Sequence, residues 1–491
     1  MHEIELKFQV PTVARSAVDA AVAGRTAAAR TRLQAVYVDT PDHALAGAGL
    51  ALRLRREGRR WVQTLKGRTP DLMQRHEHNV PRGTAPRLPP IDPTLHAGTP
   101  VGDALLALLA ARPNEPLGMR YRTDILRRTR SVRARSGRVE LAFDVGRILA
   151  GERSIDVLEL EIESLSGSPL AVLGVARDWV TRHTLWLDMR SKAERGDLLE
   201  RGETMAAPRR ADPIVLMRDM SPAVAWRAVL GSCAAPILAN ASQVAAGEYL
   251  PEHVHQLRVG LRRLRSAVRL FERDGADAVL VDGAAILFRR LGRARDAAVF
   301  ESDFADDLRA ALRRKGLTGE IAWAPPATEL PTAVVRESAS QLFLLDVLAA
   351  MHDSAGGANA EPDLRDRMAR RLNRWHRQVA ADAARFTDLD DAALHRLRKR
   401  AKRLRYAAEF TGALFERSAW HRYLRAMDVL QDRLGAVTDV LMAERALGSL
   451  ALPHPQRRAA LQWLGSRRKT LVRKAARDAR AFADVERFWK R

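Results

Sequence analysis

A chain of 491 residues exceeds what one ordinary hydrophobic core accommodates, so two domains are expected, and 46% hydrophobic residues with a net charge of +23 describe a folded, basic protein rather than a disordered one. The single cysteine, Cys233, excludes an intramolecular disulfide and a cysteine-based zinc site and fits a reducing compartment. The opening Met1-His2-Glu3-Ile4-Glu5 is acidic and lacks an apolar leader, and no apolar run approaches the roughly 20 residues of a membrane span, so the expected location is cytoplasmic with no membrane partner.

From the N-terminus, short runs alternate with period two: Glu3–Val10, Leu50–Arg56, Trp61–Lys66, Arg75–Val80, Tyr121–Arg127, Val139–Val145 and Val157–Ser164, all read as strands. Amphipathic helices are predicted near Ala14–Ala23, Pro100–Ala111 and Leu170–Thr184, with a Pro- and Gly-rich loop over Pro81–Pro100. The character changes near Ala206-Ala207-Pro208. Beyond it Ala, Leu and Arg dominate, and several helices follow, broken near Gly247–Pro251, Gly316–Pro331, Gly356–Pro362 and Leu452–Pro455. The expected organisation is a strand-rich domain over 1–200, a linker over 201–217 and an all-α domain over 218–491.

Charge divides unevenly between these halves. Residues 1–200 carry 31 Lys+Arg against 24 Asp+Glu, and the remainder 51 against 35. Such a surface attracts polyanions, and composition does not choose among nucleic acid, polyphosphate and anionic membrane. Arginine outnumbers lysine 73 to 9, and residues 1–200 hold only Lys7, Lys66 and Lys192. An ammonium is a compact three-donor charge and a guanidinium a planar fork. A chain that otherwise uses Arg keeps Lys where the fork does not fit.

The charged residues of the strands share faces. Glu3, Glu5 and Lys7 alternate against Ile4, Leu6 and Phe8; Arg53 and Arg55 alternate against Leu50, Leu52 and Leu54. Arg75 alternates with Glu77, Glu140 shares a face with Asp144, and Glu159, Glu161 and Glu163 oppose Leu158, Leu160 and Ile162. Solvent exposure explains one such face. Its recurrence is better explained by a sheet closed into a barrel, with apolar faces under helices and charged faces inside. Three carboxylates on one face repel unless cations sit among them. Oxygen-only clusters suit Mg²⁺ or Mn²⁺, and convergent Lys and Arg suit a row of phosphates, which together argue for metal-assisted phosphoryl transfer. No P-loop and no Ser/His/Asp or Cys/His set for covalent catalysis recommends itself.

The Glu3-x-Glu5-x-Lys7 motif resembles the N-terminal ExExK signature of the CYTH domains, or triphosphate tunnel metalloenzymes. Tyr37-Val38-Asp39-Thr40, Leu52-Arg53-Leu54-Arg55, Thr64-Leu65-Lys66, Arg75-His76-Glu77, Asp144-Val145-Gly146, Glu159-Leu160-Glu161-Ile162-Glu163 and Ser191-Lys192-Ala193-Glu194-Arg195-Gly196 follow in the family's order. The resemblance implies an α+β domain: an eight-stranded antiparallel barrel, open at both ends, whose members cleave triphosphates or cyclise ATP. By position, Glu3, Glu5, Glu161 and Glu163 are the implied metal ligands, with Glu77 and Asp144 beside them and Glu159 in support. Lys7, Arg53, Arg55, Lys66, Arg75, Arg127 and Lys192 are the implied phosphate ligands, Arg127 standing among Arg120, Arg122 and Arg128. The implied catalytic set is Glu3, Glu5, Lys7, Glu161 and Glu163.

The helical half repeats itself. His255-Gln256-Leu257-Arg258 and Arg262-Arg263-Leu264-Arg265 recur 140 residues on as His395-Arg396-Leu397-Arg398 and Lys402-Arg403-Leu404-Arg405. Leu291-Gly292 with Asp296 recurs as Leu434-Gly435 with Asp439. His255, Arg258, Arg262, Arg265 and Arg269 form one stripe about a quarter turn from Val254, Leu257, Leu261, Leu264 and Val268, a placement that suits a groove between helices. His395, Arg398, Lys402 and Arg405 repeat it. Neither histidine has a second ligand at metal spacing. These segments, with Arg295-Asp296 and Gln431–Asp439, resemble the CHAD domain, and Thr438 stands where the first copy has Arg295. The resemblance implies two pseudo-symmetric helical bundles with a basic groove for inorganic polyphosphate.

The favoured expectation is hydrolysis of inorganic triphosphate to pyrophosphate and phosphate, with polyphosphate bound by the helical half. Thiamine triphosphate, nucleotide triphosphates or ATP cyclisation are alternatives on the same fold, and a non-catalytic polyphosphate-binding protein is another. Aromatic residues make up 5% of the chain, too few stacking platforms to favour single-stranded nucleic acid. The oligomeric state stays open.

Overall fold

In a computed structural model of the chain, residues 2–25, 28–272, 278–292, 306–317, 329–352, 363–449 and 453–490 are described. Arg295 and Asp296 lie outside them. Eight strands build the first half: β1 (His2–Gln9), β2 (Ala29–Asp39), β3 (Leu50–Glu57), β4 (Arg60–Arg68), β5 (Gln74–Pro81), β6 (Gly118–Ala134), β7 (Gly137–Ala150) and β8 (Arg153–Gly167). They are hydrogen-bonded in the order β5-β4-β3-β2-β6-β7-β8-β1, and β1 returns to β5 through Glu3 opposite Arg75. Every pair is antiparallel, and closure pairs the two outer strands of the eight, β1 and β5, with each other. A two-residue strand, β9 (Trp186–Leu187), adds to β1. β2 and β9 were not among the expected strands.

The apolar faces point outward and are covered. Leu6, Phe8, Leu52, Leu54, Leu65, Leu141, Phe143, Leu160 and Ile162 are almost wholly buried. The covering helices are α1 (Arg15–Ala23), α2 (Ala44–Gly47), α3 (Pro100–Ala110) and α4 (Pro169–His183). Thr99 caps α3, and Pro100 occupies its first turn, where a missing N–H costs nothing. Val101 and Leu105 of α3 join Leu50, Leu52 and Leu65 in one core cluster.

At one end of the barrel the polarity reverses. Leu33, Ala35 and Tyr37 of β2, Tyr121 and Ile125 of β6, Ile148 and Ala150 of β7 and Val157 of β8 point inward and form a buried cluster. Ala193 and Leu199 of α5 (Lys192–Arg201) pack onto it. Gly196 lies so near the Tyr121 ring that a Cβ there would fall 2.3 Å from it. Against the expectation of a tunnel open at both ends, an apolar cluster and α5 pack into one of them.

The second half is helical: α6 (Pro222–Ala246), α7 (Pro251–Phe271), α8 (Ala278–Arg290), α9 (Asp306–Arg313), α10 (Pro331–Arg336), α11 (Ser338–His352), α12 (Leu364–Ala384), α13 (Asp391–Thr411), α14 (Arg417–Ser449) and α15 (His454–Ala483). The repeated motifs sit on α7 and α13, two 21-residue helices whose starts and ends are each 140 residues apart. α6 corrects another expectation, since it is long and apolar enough to cross a membrane, with mean hydropathy 1.3 over its best window. Half of that window is buried in the protein, and Asn240, Ser242 and Gln243 on it are buried and hydrogen-bonded.

Packing divides the chain into two compact units. One comprises Met1–Arg210, Ala234–Leu257 and Pro331–Ser354; the other comprises Ala211–Cys233, Arg258–Leu330 and Ala355–Arg491. The barrel unit thus includes the second half of α6, the start of α7, and α10 and α11.

Candidate active site and basic cleft

Strand register decides which side chains meet inside the barrel. Glu5 stands opposite Glu163 and Lys7 opposite Glu161 across β1 and β8. Glu140 stands opposite Glu163, and Asp144 opposite Glu159, across β7 and β8. Arg127 faces Asp144, Arg53 faces Tyr37, Lys66 faces Glu77 and Arg75 faces Glu3. Because successive side chains alternate, one parity places all of these in the lumen. It also separates the β6 arginines. Arg127 is inside, whereas Arg128 reaches out to Asp19 of α1 at 3.1 Å, and Arg120 pairs with Glu200 at 3.0 Å.

Two charge groups result. In the first, Lys192 Nζ lies 2.8 Å from both Asp144 and Glu161 and also bonds Glu159. Arg127 bonds Asp144 at 2.7 and 2.6 Å and also Glu161; Arg195 Nη2 lies 2.5 Å from Glu159. One oxygen from each of Asp144, Glu159 and Glu161 lies within 4.8 Å of the others. Burial works to raise the Glu161 carboxyl, but Arg127, Lys192 and Lys7 hold it well below the usual range. Burial would neutralise Lys192, yet the three carboxylates raise it. A capping box of Ser191 and Glu194 opens α5 and fixes Lys192 as its first residue.

The second group is richer in acid. Lys66 Nζ is 2.6 Å from both Glu3 and Glu77, Lys7 pairs with Glu5, and Arg75 Nε is 3.7 Å from Glu5. Glu3 is pushed up to about 8 by burial, with Glu5 and a hydrogen bond to Glu77 acting the same way against Lys66. Glu163 is pushed up to about 7 by burial and by Glu5, Glu161 and Glu140, against Lys66. Burial opposes ionisation of Glu5 too, but Lys7, Lys66 and Arg75 keep it low. Crowded carboxyls that hold protons near neutrality are a donor set short of positive charge. Such a set could take a hard divalent cation, and so could Asp144, Glu159 and Glu161 of the first group, whose oxygens already lie within 4.8 Å of one another.

Arg53 and Arg55 complete the lining. Arg53 Nη1 donates to Tyr37 Oη at 3.1 Å, while its buried Nε finds no acceptor among the described residues. Burial and the nearby guanidinium groups of Arg53 and Arg127 lower Arg55, which bonds Glu57 at 2.7 Å. All residues expected at the metal and triphosphate sites therefore line one lumen. Sequence reasoning missed Arg195, although it lies one helical turn after Lys192. It also missed Gln9, which continues the alternation of Glu3, Glu5 and Lys7 and bonds Glu159 and Asp188, each at 3.1 Å.

In the helical half a cleft of about 630 Å³ is lined by Arg398, Lys402, Gln431, Asp439 and Arg467 among others. Lys402 is pushed down to about 6 by burial and by Arg262, Arg398 and Arg258, against Asp439. Arg258, Arg262, Arg398 and Lys402 thus gather from both repeats. Arg258 and Arg262 lie over Phe288, 4.2 and 5.6 Å from its ring centre, and Arg262 Nε finds no acceptor among the described residues. Arg398 bonds Thr438 and lies 3.2 Å from Asp439. The surroundings of the other expected members vary. Arg405 is taken up by Glu409 and Asp428 at 2.9 and 2.8 Å, Arg265 lies near Arg269, Arg289 and Asp282, His395 is exposed, and His255 is half-buried on α7. Gln431, Asp439 and Arg467 join the cleft. Gln431 and Asp439 belong to a segment quoted for its family likeness, whereas Arg467 carried no sequence signal.

A family model of the CYTH domain matches residues 1–196, and one of the CHAD domain matches residues 228–448. The inorganic triphosphatase of Haemophilus influenzae is 30% identical over 168 residues, which cover 33% of this chain and 44% of that protein, less than half its length. Among solved structures, the CHAD domain from the plant Ricinus communis is 29% identical, covering 57% of this chain and 98% of that one with a TM-score of 0.42. A Hippeastrum protein studied as an adenylyl cyclase, and described as having a dominant triphosphatase activity, is 17% identical, covering 41% of this chain and 97% of that one with a TM-score of 0.29. Residues 1–196 are thus a CYTH domain and residues 228–448 a CHAD domain.

Proposed function

We propose that the barrel hydrolyses inorganic triphosphate with the help of Mg²⁺ or Mn²⁺. The observation that carries this reading is the shared lumen of Lys7, Arg53, Arg55, Lys66, Arg75, Arg127 and Lys192 with Glu3, Glu5, Glu161 and Glu163. A lumen that only bound anions would gain nothing from carboxylates that repel them. The cations bind and align successive phosphates, which raises the effective concentration of the reacting groups. They also stabilise charge that develops on the leaving pyrophosphate. A bound metal would neutralise phosphate oxygens and lower the pKa of a water. Glu3, Glu5, Glu161 and Glu163 would hold it, with Glu77 and Asp144 next to them. The curated triphosphatase relative supports the same reaction class.

The experiment is phosphate release from tripolyphosphate, thiamine triphosphate, ATP and long-chain polyphosphate, with Mg²⁺ or Mn²⁺ and after chelation. Release of one phosphate from tripolyphosphate, abolished by EDTA, is expected. Turnover that survives thorough chelation refutes the metal assignment, and preference for another triphosphate refutes the substrate. The cleft of the helical half is proposed to bind polyphosphate through Arg258, Arg262, Arg398 and Lys402. Its support is a cleft lined by Arg398, Lys402 and Arg467, with Arg258 and Arg262 of the other repeat close enough to Lys402 to depress its pKa.

A further inference from the structure

Lys192 and Arg195 stand on α5, so their place in the lumen depends on how the chain reaches that helix. The approach is residues 187–191, and it is held in unusual detail. Asp188 N–H donates to Lys7 O at 2.9 Å, and the fully buried Asp188 carboxylate takes Arg190 at 2.9 and 2.8 Å and Gln9 at 3.1 Å. Arg75 donates to Met189 O at 3.4 Å. One short segment thus connects three lumen residues, Lys7, Arg75 and Lys192.

The remaining bonds come from helices matched by the CHAD model. Leu187 N–H donates to Gln341 Oε1 at 2.8 Å, and the Gln341 amide is itself held by Val335 O at 2.7 Å. Met189 N–H donates to Ser242 Oγ at 2.9 Å, and Ser242 donates to Leu238 O at 2.8 Å. Arg190 Nη1 donates to Gln243 Oε1 at 3.4 Å, and Gln243 donates to Glu248 O at 2.6 Å. Gln341, Ser242 and Gln243 are 1%, 1% and 2% exposed, so losing them leaves the buried Leu187 N–H and the half-buried Met189 N–H without these acceptors. The Arg336 guanidinium, bonded to Ala245 O at 2.6 Å, lies 5.3 Å from the centre of the Trp186 ring. Every one of these contacts lies within the barrel unit.

We propose that Gln341 and Ser242, with Gln243, are positioning residues for the triphosphate site: they clamp residues 187–190 and so set the start of α5 and the reach of Lys192. This rests on the proposed triphosphatase reading. Part of the CHAD-matched sequence therefore serves the barrel. A truncation after residue 200 removes the clamp along with the helices.

The test uses the full chain, with Ser242→Ala, Gln341→Met and the double variant, and Ser242→Thr as the version that keeps the hydroxyl. Amide hydrogen exchange is read at Leu187, Met189 and Lys192–Arg195, with β6 and β7 amides as the internal control for a folded barrel. In the double variant exchange at the first group is expected to rise about tenfold or more with β6 and β7 unchanged, and kcat/KM for tripolyphosphate to fall about tenfold or more. Ser242→Thr is expected to keep wild-type values in both. Unchanged exchange at residues 187–195 overturns the clamp. Faster exchange with wild-type kcat/KM overturns its positioning role. A wild-type protein that cleaves no triphosphate defeats the reading of function instead, while exchange still judges the clamp.

Discussion

Removing the ammonium of Lys192 by Lys192→Met is the sharpest perturbation of the lumen. The side chain is buried among Asp144, Glu159 and Glu161, whose directly bonded cations are Arg127 and Arg195 once it is gone, Lys7 being paired with Glu5. With three buried acids against two directly bonded cations, one carboxyl takes up a proton. Holding a carboxyl of ordinary pKa about 4.3 half-protonated at pH 7 costs about 3.7 kcal/mol, at about 1.36 kcal/mol per unit. That agrees with the roughly 3–5 kcal/mol lost when one partner of a buried pair is removed. The sign of the pH dependence follows. At pH 7 the folded variant holds a proton that its unfolded chain does not, so its deficit shrinks as pH falls towards 5, by up to about 1.4 kcal/mol per pH unit. Hydrogen exchange of the slowest β7 and β8 amides reports the barrel unit alone and gives the stability difference at each pH. Turnover of tripolyphosphate is expected to fall about a hundredfold or more, as for loss of one preorganised charge in a phosphoryl-transfer site. Wild-type exchange and turnover from pH 5 to 8 would refute the argument that Lys192 offsets these carboxylates.

Glu5→Gln and Glu161→Gln keep shape and remove charge, and each is expected to lower turnover about a hundredfold while the barrel stays folded; near-native turnover in both would place them outside the chemistry. Glu3 at about 8 and Glu163 at about 7 must lose protons to ligate Mn²⁺, so metal affinity is expected to fall as pH drops from about 8 to 6. Calorimetry in two buffers of different ionisation heat should show about one to two protons released per ion near pH 7, and no release would refute the carboxylate assignment. Replacing Arg258, Arg262, Arg398 and Lys402 together by Ala in the full chain is expected to weaken polyphosphate binding and flatten its salt dependence, while hydrolysis of tripolyphosphate stays near wild type. Duplex DNA that competes as well as polyphosphate in a filter-binding assay would make the cleft a generic basic surface.

Period-two alternation made most of the barrel legible, because charged-in and apolar-out strands show a clean contrast. β2 escaped for a physical reason. It lies at the filled end, where Arg32 and Gln34 face outward and Leu33, Ala35 and Tyr37 face inward, the opposite of the pattern that identified the other strands. The parity that separates Arg127 from Arg128 needed a register, which only pairing with β7 supplies. In the helical half the stripes on α7 and α13 were legible, but which of their residues line the cleft was not: Arg398 and Lys402 do, whereas local acids Glu409 and Asp428 capture Arg405. Gln341 and Ser242 carry no pattern at all. A single polar residue in an apolar helix declares its partner only when the chain 154 or 53 positions away is brought beside it.

The apolar end of the barrel would act as a floor under the row of cations, if the lumen takes a phosphate chain as proposed. Leu33, Ala35, Ile125 and Ile148 offer a phosphate neither charge nor a hydrogen-bond donor, and Tyr121 packs against Gly196 behind them. A long polymer would then be gripped only at its tip, for as many units as the cations extend, with the bulk of the chain outside in water. On that reading the reach of the substrate, rather than its composition, would be the first thing the site selects.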